Sequence, residues 1–100
     1  MSSLITLNVS GRQFRTTKST IFRSPYFQIL IQQRDNKMPD GSTFIDADPD
    51  VFEYVLSFLR RPSRFPLFWT EEKGFDYVLY NKLEAAADHF CLNDLRDWIR

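Results

Sequence analysis

A chain of 100 residues with 13 basic and 13 acidic side chains supports one hydrophobic core, and it lacks the overall positive field that non-specific nucleic-acid binding needs. With 43% hydrophobic residues and only three Gly and five Pro it is not a disordered tract, and no run nears the roughly 18 apolar residues of a membrane span. One Cys and one His supply neither an intrachain disulfide nor a zinc-ligand set, so the domain is expected to be intracellular, cytoplasmic or nuclear, without metal or cofactor and without direct membrane contact.

Residues 1–10 have neither the basic start nor the apolar stretch of a secretory signal. Leu4 to Val9 alternates, with Ile5, Leu7 and Val9 on one side, and the pattern resumes at Phe14 and Thr16 after Ser10-Gly11. This predicts a β-hairpin whose other face, with Thr6, Asn8, Gln13, Arg15 and Thr17, is polar. Ser19 and Thr20 can cap a short turn through Phe22. Ser24-Pro25 opens a helix running to about Gln33, with Phe27, Leu30 and Ile31 inward. Pro39-Asp40-Gly41 makes a turn before a short strand, Thr43 to Asp46.

Asp48-Pro49 is a second helix start, and Phe52, Val55, Leu56 and Leu59 recur at helical spacing until Pro62 forbids continuation. Arg60, Arg61 and Arg64 cluster at that helix's end, where complementing its dipole is the simplest role. Thr70 is expected to cap a helix carrying Glu71 and Glu72 in its first turn, weakened by Gly74. Asn81 to Glu84 has capping-box spacing and is expected to open a further helix, Leu83 to Phe90. A last helix begins near Asn93 with Leu95, Trp98 and Ile99 inward and ends uncapped at Arg100, which suggests a single domain, 1–100, cut from a longer protein.

No catalytic constellation is found. GxxxxGK[ST], GxGxxG and GxSxG patterns are missing, and His89 and Cys91, two apart on a helix, point away from each other. His89 is expected to be structural or superficial, and Cys91 packed and inert. Asp46, Asp48 and Asp50 fit a calcium loop poorly, whereas capping by Asp48 and a dipole contact from Asp50 explain two of the three.

Two features point to binding. Positions 1–45 carry six basic residues against two acidic, about +4, so positions 46–100 carry about −4 and a basic face of one copy can meet an acidic face of another. Phe65 to Tyr80 holds six aromatics in sixteen residues, and Phe65, Phe68, Trp69, Phe75 and Tyr77 either close the core or form a partner surface.

Leu7 to Ile21 (LNVSGRQFRTTKSTI), Phe44 to Arg60 (FIDADPDVFEYVLSFLR) and Leu83 to Leu92 (LEAAADHFCL) together resemble the BTB/POZ superfamily. More narrowly, the sequence looks like the branch that includes the cytoplasmic tetramerisation domain of voltage-gated potassium channels and its soluble relatives. The resemblance implies a mixed α/β (α+β) BTB/POZ fold, with a small N-terminal sheet of about three strands on a cluster of about five helices. It also implies a non-enzymatic module that self-assembles, with a ring of four or five copies favoured, and scaffolds other proteins. The alternatives are a substrate adaptor for a cullin-type ubiquitin ligase and the cytoplasmic assembly domain of a channel. Candidate interface residues are Asn8, Arg12, Gln13, Arg15, Thr17, Asp46, Asp48, Asp50 and Glu53. Ser10 replaces the first Gly of the family's paired glycines and Ala47 replaces the Arg of D-R-D-P. The His and paired Cys through which many channel relatives bind zinc are missing, so no interfacial zinc is carried over.

Overall fold

The computed structural model describes residues 3–100; Met1 and Ser2, included in the expected 1–100 domain, lie outside the described residues. Strands β1 (Leu4–Val9) and β2 (Arg12–Thr17) form the antiparallel hairpin, with Leu7 opposite Phe14 and Asn8 opposite Gln13. Ser10 and Gly11 both have positive φ, 48° and 103°, as the tight return of a two-residue hairpin demands. Asn8 Oδ1 stabilises that return by accepting from Gly11 N at 2.7 Å.

Helices α1 (Lys18–Ile21) and α2 (Pro25–Gln32) carry the chain across to β3 (Thr43–Ile45), which pairs parallel to β1, so the sheet order is β2-β1-β3. The cap of α1 is Thr17, whose Oγ1 accepts from Thr20 N, and not Ser19 or Thr20 as the sequence suggested. Ser24 stands at the N-cap position of α2, yet its buried hydroxyl donates to Phe90 O at 2.6 Å, which ties the start of α2 to a residue 66 positions away.

Helix α3 (Pro49–Arg60) has the predicted limits, with Asp48 Oδ1 accepting from Asp50 N at 2.9 Å. Its apolar stripe is buried throughout, and Phe52 meets Phe27 of α2 and Phe90 at centroid distances of 5.9 and 5.8 Å. The sheet packs on this aromatic group through Leu7, Val9, Ile45 and the Phe14 ring, 5.3 Å from Phe52.

The chain from 69 to 90 departs from expectation. Thr70 does cap a turn, since Lys73 N donates to its Oγ1 at 3.1 Å, but Gly74 at φ 68° reverses the chain. The result is a small hairpin of β4 (Trp69–Thr70) and β5 (Gly74–Phe75) where a helix was predicted. The helix begins instead at Asp76, whose Oδ1 accepts from Leu79 N, and α4 (Tyr77–His89) runs unbroken through Asn81. The capping-box signal at Asn81 is overridden because the buried side of the helix is already set by Leu83 and Ala87, with Leu79 and Ala86 packed beside them.

Helix α4 ends in a Schellman motif. Leu92 N donates to Ala87 O at 2.8 Å, Cys91 N donates to Asp88 O at 3.3 Å, and Cys91 takes the left-handed position at φ 59°. That geometry turns Cys91 outward, so it is exposed and not packed as expected. In α5 (Asn93–Ile99) Leu95 is buried, while Trp98 is 46% exposed and lies flat on Phe65, with centroids 4.9 Å apart. Among the described residues no helix is long and apolar enough to cross a membrane.

Candidate interaction surfaces

The outer face of the three-stranded sheet follows directly from register. Thr6 lies opposite Arg15, and Asn8 is flanked by Gln13 on β2 and Phe44 on β3. Because Thr43 and Ile45 point into the core, Phe44 points out, and it stays 38% exposed on the edge strand beside Asn8. Sequence reasoning missed Phe44 as a surface residue, although alternation around Thr43 and Ile45 carried the signal. Gln13 Nε2 donates to Asp40 Oδ2 at 3.3 Å, and the Arg15 guanidinium has no hydrogen bond or ion pair among the described residues. Arg15 and Gln13 share a shallow polar basin with Lys37 and Asp40. Ser42 donates to Asp40 from its hydroxyl (2.6 Å) and its amide (2.9 Å), and these bonds hold that carboxyl below the usual carboxylate range.

The other candidates of the first surface, Asp46 excepted, have occupations within the chain. Arg12 sits opposite Val9, so it belongs to the inner face, where its guanidinium lies 4.9 Å from the Phe14 centroid. From there it donates to Asp50 Oδ1 at 2.9 Å, Pro49 O at 3.1 Å and Glu53 Oε2 at 3.4 Å, linking the hairpin to the first turn of α3. Asp48 caps α3, Thr17 caps α1 and Asn8 braces the hairpin turn. Asp46 is exposed and makes no side-chain bond among the described residues.

The two positions where this chain departs from the family pattern are joined. Ser10 Oγ donates to Ala47 O at 2.8 Å, and Ser10 N donates to Ile45 O at 3.1 Å.

The aromatic segment divides into two groups. Tyr80 is its anchor, its hydroxyl donating to Pro66 O at 2.9 Å and accepting from Phe68 N at 3.0 Å. Phe68 is held between Tyr54 and Tyr80, with both centroid distances 4.7 Å, and Phe65 between Phe58 and Trp98. These residues close the side of the core. Trp69, Phe75 and Tyr77 remain exposed together with Leu67 and Val78. At the end of α3 it is Arg23 that hydrogen-bonds the last carbonyls, donating to Leu59 O at 2.6 Å and Arg60 O at 3.2 Å, while Arg60 supplies a positive charge in the last turn. Arg60 also donates to Arg15 O at 3.0 Å.

A three-stranded sheet with one polar face, packed on a cluster of helices, defines a mixed α+β domain. Residues 5–79 match the BTB/POZ domain, and the chain belongs to that family. It is 41% identical over 98 positions to the mouse "Potassium channel regulatory protein", which covers 94% of this chain, and 38% identical over 96 positions to human "BTB/POZ domain-containing protein KCTD3", which covers 92%. It is also 41% identical over 61 positions to bovine "SH3KBP1-binding protein 1", covering 57% of this chain. The matches span 34%, 11% and 9% of those relatives' own lengths. The domain is a protein-interaction and oligomerisation module of the branch that includes potassium-channel tetramerisation domains.

Proposed function

We propose that this domain assembles with copies of itself into a closed ring of four or five and, as one domain of a longer chain, scaffolds partner proteins. The observation that carries this reading is the outer sheet face, where exposed Phe44 lies in one row with Asn8 and Gln13 and the Arg15 guanidinium has no partner among the described residues. An exposed aromatic beside polar groups is the composition of an interface anchor and its rim. Of the acidic candidates, Asp46 is the one with no side-chain bond among the described residues, so it is the proposed partner of Arg15 from the next copy. A face that meets a different face of its neighbour generates rings when the rotation closes.

Light scattering on the purified domain is expected to give a mass several times 11.9 kDa, insensitive to chelators. Arg15→Glu sets like charges against each other at every contact of the ring, and it is expected to leave a folded monomer with unchanged circular dichroism. Phe44→Ala is expected to weaken assembly by about tenfold or more. A wild-type mass in both variants would place this face in solvent and end the proposal.

A further inference from the structure

Two grooves lie side by side beyond the end of α3, and Leu67 and Phe68 line both. The first, about 490 Å³, runs between aromatic walls from Tyr54, Phe58 and Phe65 and includes Arg60, Arg61 and Arg64. The second, about 620 Å³, lies between the β4–β5 hairpin and the start of α4, with Trp69, Phe75 and Val78 in its lining. The turn of that hairpin, with Asp76 behind it, carries Glu71, Glu72 and Lys73 and is net acidic. Glu71 and Glu72 stand between Thr70 and Lys73, which line the second groove, so one continuous patch has a basic side, an exposed apolar centre and these two carboxylates at its far rim.

Apart from Arg60 and Asp76, which bond to Arg15 O and Leu79 N, the acidic and arginine side chains on it are uncommitted. Arg23 has taken the carbonyls at the end of α3, and Arg61, Arg64, Glu71 and Glu72 make no side-chain hydrogen bond or ion pair among the described residues. The centre is uncovered as well, with Leu67 71% exposed between the two grooves. A surface with opposite charges on the two sides of an apolar middle is complementary to itself after a half-turn, the requirement for a two-fold contact between identical chains.

We propose that this patch binds a second copy of the chain about a two-fold axis. The Arg61 and Arg64 side of each copy receives the Glu71-Glu72 turn of the other, and Leu67 lies next to the axis. The contact uses none of the residues of the outer sheet face. It therefore stands independently of the ring and would join one ring to another.

A residue beside a two-fold axis meets its own counterpart, which gives a direct test. With Cys91→Ser removing the native thiol, Leu67→Cys is expected to form a disulfide-linked dimer under mild oxidation. Ile29→Cys, an equally accessible control, is expected to do so at least about tenfold more slowly. Adding Arg61→Glu and Arg64→Glu to the Leu67→Cys chain is expected to lower its rate to the control's. Mixing that chain with one carrying Leu67→Cys, Glu71→Arg and Glu72→Arg is expected to restore it, because both salt contacts are then re-formed. The same pattern is expected on an Arg15→Glu background, which separates this contact from the ring. Cross-linking of Leu67→Cys at the control's rate, or at a rate indifferent to charge reversal in chains of unchanged circular dichroism, overturns the proposal.

Discussion

The two sheets of this domain are held in opposite ways. The three-stranded sheet has a buried face, through which Leu7, Val9 and Ile45 join the core around Phe52, and burial of apolar surface is its main support. The β4–β5 hairpin has two residues per strand, both sides largely exposed, and polar pins in place of a core: the Tyr80 hydroxyl, the bond from Asp76 N to Phe68 O at 2.8 Å, and the Thr70 turn. An isolated two-stranded hairpin is marginal in water. The first sheet is therefore the scaffold, and the second is an appendage whose exposed aromatics gain most from being covered.

Deleting the shared core should affect everything at once. Phe52→Ala removes the ring where α2, α3, the sheet and Phe90 meet, and it is expected to destabilise the domain by about 3–5 kcal/mol. Chemical denaturation would record this as a lower midpoint with both sheets lost together. Tyr80→Phe should instead act on one region. Losing the two hydroxyl bonds is expected to cost about 1–2 kcal/mol and to raise amide exchange across residues 66–76, while the β1–β2 hairpin keeps its protection. Equal loss of protection in both hairpins would remove the distinction between scaffold and appendage.

A smaller change of opposite sign is expected inside the first sheet. Thr43 is fully buried and its Oγ1 has no hydrogen-bond partner among the described residues. Thr43→Val keeps the shape and removes an unsatisfied hydroxyl, so stability is expected to rise by about 1 kcal/mol, read as a higher denaturation midpoint. The smallest effect concerns Asp40 at the rim of the same sheet. Its carboxyl is held below its ordinary value by Ser42, first by the hydroxyl and then by the amide, so the charged form favours the fold. That contribution is complete above the unfolded pKa of about 3.9 and disappears as pH falls through the lowered folded value. Asp40→Asn removes that contribution, so it is expected to lower stability slightly at neutral pH, to converge with the wild type in strong acid, and so to flatten the acid limb of the stability profile.

Much of this architecture could be read from local chemistry, and the misreadings share one cause. The limits of α3 lie in its own sequence, Asp48-Pro49 at one end and Pro62 beyond the other, and its stripe of Phe52, Val55, Leu56 and Leu59 needs no distant partner to be recognised. Thr70-Glu71-Glu72 offers an equally good local start signal, but Gly74 takes a positive φ and Tyr80 reaches back 14 residues to Pro66, and neither is visible in a short window. Cys91 looked like a small buried apolar residue because the helix-ending left-handed position usually advertises itself with Gly. The candidate interface suffered in the same way. The opposed charges of Arg12 and Asp50 were recognised, but a separation of 38 residues concealed that they meet within one chain. That pairing removes Arg12 from the polar face and leaves Arg15 as its cation.

The bond from Ser10 to residue 47 bears on how the two departures from the family pattern relate. Ser10 Oγ addresses the main-chain oxygen of Ala47, and main-chain oxygens are the same whatever side chain follows. Restoring Arg at position 47 would keep the acceptor, and restoring Gly at position 10 would remove the donor without disturbing the Ala47 methyl. The two positions touch but do not read each other's identity, so neither substitution structurally requires the other.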